Sequence, residues 1–183
     1  KRHFTMNIKS LFILLLTTVL TFSTLYTPQP ILPLLAQEFS VSGSEISLLI
    51  SLTLFPLGLM PIIYGYLIDN VSARTILHWF IGMLAVTELS LAFVSDFRIM
   101  LVFRLLQGLL LPAIFTAIVT YISNHSSADQ RQKSISSYIA ATIIGGFAGR
   151  FLTGLISDIS DWRVAFMVWT VGLFAAWTLL WML

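Results

Sequence analysis

The run from Ile46 to Ile68, 23 residues without a charged side chain, constrains this chain more than any other feature in it. At a rise of 1.5 Å per residue a helix of that length crosses a hydrocarbon core about 30 Å thick. Hydrocarbon offers no partner to a backbone amide or carbonyl, so the run must close its own hydrogen bonds as a helix. Five further apolar stretches lie between clusters of charge. The six candidate spans are about Ser10 to Ala36, Ile46 to Ile68, Thr75 to Ser95, Ile99 to Ile122, Ser134 to Ser157 and Val164 to Leu183. Hydrophobic residues make up 57% and charged residues 10% of the chain, whereas soluble domains average about 45–50% and about 25%. The expected fold class is therefore an all-α membrane protein with six transmembrane helices.

The same composition excludes several functions. The ten Lys and Arg residues are spread along the chain, most of them at segment ends, and form no basic stripe, so no nucleic-acid partner is expected. Zero cysteine rules out disulfides, thiolate catalysis and Cys-containing metal sites. His3, His78 and His125 are far apart with no ligand spacing, so no metal site is expected, and nothing calls for a cofactor. A six-span intramembrane hydrolase needs a nucleophile and a base at depth, but no span holds a Gly-x-Ser-x-Gly elbow or a central histidine. The chain is not expected to be an enzyme, and no residue is assigned a catalytic role. Lys1, Arg2 and Lys9 ahead of Leu11 to Leu20 resemble a secretory signal, yet no small-residue cleavage site follows. The chain opens on Lys1, meets its first methionine at Met6 and ends on Leu183 without a charged flank, which reads as a fragment or a truncated reading frame.

Orientation follows from the cations, because Lys- and Arg-rich loops stay cytoplasmic. With the N-terminus inside, Lys1, Arg2, Lys9, Arg74, Arg131 and Lys133 are cytoplasmic and only Arg98 and Arg163 face outward. Ser42-Gly-Ser-Glu45 has the form of a capping box and marks the start of the second span. Trp162, Trp177 and Trp181 fall near the ends of the sixth span, where interfacial anchors are expected.

The first span carries Pro28, Pro30 and Pro33, each of which removes a backbone donor. Such breaks persist at membrane depth where protein or water satisfies the freed carbonyls. Either the outer end of this helix is simply kinked, or Tyr26 and Gln29 face a central cavity. Three ionisable side chains remain within spans: Glu88, Arg104 and Arg150. Each costs about 2.5–3.5 kcal/mol on insertion scales, so each is expected to turn inward or find a partner. Glu88 and Arg104 are each eight residues from Asp96, and Arg150 is seven from Ser157. All three are then expected on the order of 10 Å below the outer surface. The expectation is one buried cluster in which Glu88 exchanges protons while Arg104 keeps its charge; the alternative is a static ion pair.

Gly65-Tyr-Leu-Ile-Asp69-Asn-Val-Ser-Ala-Arg74 recurs in spacing 89 positions later, as Gly154, Asp158 and Arg163. Ile46, Ser47 and Ile50 meet Ile135, Ser136 and Ile139 at the same offset. This echo suggests two three-helix repeats, about residues 8–95 and 98–183, within one six-helix bundle spanning 1–183. The first of these stretches resembles the loop between helices 2 and 3 of the major facilitator superfamily, Gly-x-Leu-x-Asp-(Arg/Lys)-x-Gly-(Arg/Lys)-(Arg/Lys). Gly65, Leu67, Asp69 and Arg74 match, while Asn70, Ser72 and Ala73 depart. Arg104-Leu-Leu-Gln107-Gly108 resembles the family's Arg-x-x-Gln-Gly pattern on helix 4. Gly145, Gly149 and Gly154 match the antiporter signature of helix 5, Gly-x-x-x-Gly-Pro-x-x-Gly-Gly, with Arg150 in place of the proline. Tyr26, Gln29 and the prolines after them resemble a run in bacterial sugar and drug efflux members.

The resemblance implies the N-terminal half of a major facilitator fold built from 3+3 inverted repeats, with the second six-helix half absent from this sequence. It implies a multi-pass protein of the bacterial inner (plasma) membrane that moves a small-molecule substrate by alternating access through proton-coupled efflux. Tyr26, Gln29, Glu88, Arg104, Gln107 and Arg150 would line the substrate and proton pathway. Gly65, Asp69 and Arg74 would gate the loop, with Asp69 binding a helix end of the missing half or being neutralised by Arg74. Gly108, Gly145, Gly149 and Gly154 would let helices pack closely. Arg150 would attract an anionic substrate or pair with Glu88. The lipid bilayer, protons and the absent half are the remaining partners expected, and the alternative is a transport-incompetent remnant.

Overall fold

A computed structural model of the chain describes residues 6–68 and 70–183, so Asp69, Lys1, Arg2 and His3 fall outside the described residues. Span 1 is α1 (Ile8–Tyr26), a 3-10 turn (Gln29–Ile31) and α2 (Leu32–Glu38). Span 2 is α3 (Gly43–Ile46) and α4 (Leu48–Ile68). Spans 3, 4 and 5 are α5 (Ala73–Ala92), α6 (Phe97–His125) and α7 (Ala128–Ile159). Span 6 is α8 (Trp162–Leu179), closed by a 3-10 turn (Leu180–Met182). All six spans are long and apolar enough to cross a membrane. No strand occurs among the described residues.

Each span begins where a short polar side chain accepts a hydrogen bond from an amide of the first turn: Asn7, Ser42, Ser72, Asp96, Ser127 and Asp161. Those caps satisfy donors that no preceding carbonyl can reach. At Ser42 the predicted capping box is complete, with Glu45 bonding back to the Ser42 amide at 2.8 Å. Span 1 breaks at its prolines as expected, whereas α4 runs through Pro56 and Pro61 and α6 through Pro112.

Spans 1 and 5 pack closely, as do spans 2 and 4, while span 3 lies against 4 and 6. Exchanging the two three-helix blocks would turn the 1–5 contact into the 4–2 contact. Both contacts are tight for the same reason. A Cβ on Gly149 would lie 2.7 Å from Ser23 Cα, and one on Gly108 would lie 2.9 Å from Thr53 Cα. Across each seam a hydroxyl donates to a carbonyl, Ser23 to Gly145 at 3.0 Å and Thr53 to Arg104 at 3.1 Å.

The buried core is in two pieces. One, around Leu14, Leu77, Leu84 and Ile118, fills the end of the bundle nearer the N-terminus; the other, around Leu35, Leu49, Met100 and Phe166, fills the opposite end. Spans 2 and 5 are the least covered, with 22% and 28% of their most apolar windows buried against 56% for span 4. Trp162, expected as an interfacial anchor, is instead 2% exposed. Its indole donates to Glu38, and Arg163 pairs with the same carboxylate at 2.8 Å, tying the end of span 1 to the start of span 6. Trp177 likewise packs over Gly82 and donates to the His78 carbonyl at 2.8 Å, leaving Trp181 as the exposed member.

Candidate functional site

Between the two apolar clusters lies a polar layer. Glu88 on span 3 and Arg104 and Gln107 on span 4 are all 0% exposed. A charged group at such depth persists only where its donors or acceptors are engaged. Arg104 meets that demand chiefly with backbone oxygens. Its Nε donates to the Leu49 carbonyl on span 2 at 3.1 Å, Nη2 to the Leu25 carbonyl at 3.0 Å and Nη1 to the Thr24 carbonyl at 3.3 Å, the last two on span 1. Those acceptors are available for a sequence reason. In a continuous helix the Thr24 carbonyl would accept from the amide four residues on, which is Pro28 and has none. Leu25 belongs to the last turn of α1, whose carbonyls lack intrahelical donors.

Gln107 then joins the cation to the carboxylate. Its Oε1 accepts from Arg104 Nη1 at 2.6 Å, and its Nε2 donates to Glu88 Oε2 at 2.6 Å. Because Arg has only donors, the Gln107 amide is oriented unambiguously. Glu88 Oε1 has no partner among the described residues.

Arg150 lies elsewhere, and the expectation of one cluster with two guanidiniums is corrected here. Its Nε donates to Gln29 Oε1 at 2.6 Å, its Nη1 donates to the Gly146 carbonyl at 2.9 Å, and its guanidinium stacks over the Tyr26 ring at 3.8 Å. The structure thus groups the six expected pathway residues as two triads, Glu88–Gln107–Arg104 buried and Tyr26–Gln29–Arg150 partly open. Rotation about the axis of span 5 decides this, and matching depth alone could not reveal it.

The other expected residues divide similarly. Gly108, Gly145 and Gly149 are packing glycines, with a Cβ on Gly145 meeting the Phe22 Cβ at 2.8 Å. Gly154 is not pressed in this way, since its Cβ would reach Pro30 only at 3.5 Å. A Cβ on Gly65 would meet nothing within 4 Å among the described residues beyond its own helix. Arg74 donates from Nη2 to the Trp181 carbonyl at 3.2 Å, joining span 3 to the end of span 6. Thr24, Leu49, Thr53 and Ser23 were not singled out in the sequence; the signal for Thr24 was the proline four residues later.

Comparisons with known proteins agree with this architecture. Residues 14–183 match the Major Facilitator Superfamily, and the chain belongs to that family. It is 32% identical over 157 residues to the inner membrane transport protein YnfM of Escherichia coli, covering 85% of this chain and 37% of that protein. It is 26% identical over 148 residues to the probable efflux pump mfs2 of Aspergillus flavus, covering 79% of this chain and 34% of the pump. A crystal structure of the peptide transporter POT superposes with a TM-score of 0.85 at 16% identity, over 95% of this chain and 37% of that one. The chain therefore spans just over a third of the length of the relatives it matches, and has the fold of a six-helix half of a major facilitator transporter.

Proposed function

We propose that this chain is the N-terminal, two-repeat half of a transporter that exports a small solute in exchange for protons, through alternating access against a second six-helix half. The buried Glu88–Gln107–Arg104 triad carries the reading. Glu88 Oε1 is an unengaged buried oxygen, so a proton can be placed there without breaking the bond from Gln107. Arg104 stays cationic, held by acceptors on spans 1, 2 and 4. Loss of the Glu88 proton then creates a buried anion one amide away from a buried cation. In a low dielectric that change is large enough to bias how spans 1 to 4 pack.

The Arg-x-x-Gln-Gly pattern and the glycines of span 5 support antiport, and the relative named as a probable efflux pump supports export. Gly65, Asp69 and Arg74 are assigned to gating in this reading, and the distribution of cations supports a cytoplasmic N-terminus. The second half would cover the open faces of spans 2 and 5. A remnant unable to transport is the second reading. It requires stable membrane insertion without uptake.

The test is uptake into proteoliposomes by the full-length transporter, with and without a pH gradient. Gradient-driven uptake in the parent protein and its loss in Glu88→Gln, with binding retained, is the expected result. Undiminished gradient-driven uptake in Glu88→Gln removes Glu88 from the coupling.

A further inference from the structure

We infer that Tyr26, Gln29 and Arg150 form an anion-binding subsite and that the transported solute is a small organic carboxylate with an apolar body. That a solute is carried at all rests on the transport reading above; that an anion binds here rests on the site itself.

Arg150 is a cation within a membrane span, and among the described residues no carboxylate lies within ion-pair distance of it. It is exposed but held in place. Gln29 and the Gly146 carbonyl take two hydrogen bonds, and the Tyr26 ring supports the flat face of the guanidinium. The place for this stack is made by Gly146, where a Cβ would come 3.2 Å from the Tyr26 ring and 3.4 Å from Arg150 Nη1. Two of the five guanidinium N–H groups are used, one on Nε and one on Nη1, which leaves both of those on Nη2 and one on Nη1 for an anionic acceptor.

The neighbouring groups are donors as well. With its oxygen on Arg150, the Gln29 amide presents an NH2 group that has no partner among the described residues, and the Tyr26 hydroxyl has none either. A site rich in donors, with one positive charge and no acid, discriminates against cations and binds neutral solutes less tightly than anions. One guanidinium balances one negative charge, which favours a monocarboxylate over a dianionic phosphate. Phe147, one turn earlier on span 5, is 64% exposed and stacked on Phe151 at 5.5 Å. It supplies an apolar flank for the rest of the solute.

The experiment titrates the purified full-length transporter, in phosphatidylcholine nanodiscs, with benzoate, 2-naphthoate and hexanoate and with the matching amides, by calorimetry. At least one carboxylate should bind tenfold or more tightly than its amide. Arg150→Gln should abolish that preference, and Arg150→Lys, which keeps the charge but loses the fork, should weaken it severalfold. If no carboxylate is preferred over its amide, or the preference survives in Arg150→Gln, the subsite is wrong. Phosphatidylglycerol nanodiscs should leave the affinity within twofold. Displacement of the carboxylates there would make Arg150 a lipid headgroup site and equally overturn the inference. Because binding is read without a pH gradient, carboxylate preference with no coupled uptake sinks the transport reading alone, and coupled uptake without carboxylate preference sinks the subsite alone.

Discussion

Single residues in this bundle are distinguished by what a side chain would meet. Gly149→Ala places a methyl group 2.7 Å from Ser23 Cα, and a backbone cannot yield as a flexible side chain can. Forcing spans 1 and 5 apart should cost about 2 kcal/mol, as overpacking usually does, and lower the thermal midpoint in detergent. Gly154→Ala, inside a helix and with its nearest neighbour at 3.5 Å, should not destabilise and should gain up to about 1 kcal/mol. Both glycines matched the same motif in the sequence, which cannot tell a glycine at a seam from one beside it. Glu88 and Arg104 were legible as buried because charge in an apolar run has few alternatives. The partner of Arg150 was not legible, because a break at Pro28 and the rotation of span 5 together decide which side chains meet.

At the scale of elements, Arg104 stitches a broken helix to its neighbours. Its Nη groups serve the Thr24 and Leu25 carbonyls of span 1, which Pro28 and the helix end leave without amides, and its Nε reaches the Leu49 carbonyl of span 2. Arg104→Lys keeps the charge but cannot reach all these acceptors at once. With each unsatisfied buried group costing about 1–3 kcal/mol, the variant should lose on the order of 3 kcal/mol in a thermal unfolding series. An unchanged midpoint would mean that water serves these carbonyls instead. The six spans and the capping box were readable because apolar runs and local capping chemistry act within one segment. Trp162 was misplaced by the same local logic: its partner Glu38 is 124 positions away, and nothing near Trp162 announces it.

For the whole molecule, the uneven covering of the spans is the feature to test. Phe55 on span 2 and Phe147 on span 5 are 70% and 64% exposed. These 183 residues contain no cysteine, so Phe55→Cys and Phe147→Cys each report one position in the six-span chain without background. Carrying a spin label, each should be open to oxygen dissolved in the bilayer in the six-span chain and severalfold less so in the proposed full-length transporter. Equal accessibility in the two would mean that spans 2 and 5 face lipid in the assembled protein.

The interruption of the apolar interior at Glu88, Gln107 and Arg104 has a thermodynamic consequence. The apolar clusters on the two sides of that stratum share no hydrophobic member, so the damage done by a truncation on one side should be little transmitted to the other. Leu35→Ala and Leu84→Ala should therefore sum in the double variant to within about 0.5 kcal/mol, whereas Leu84→Ala with Leu77→Ala should not. Either storey of such a molecule can change in sequence while the other stays fixed.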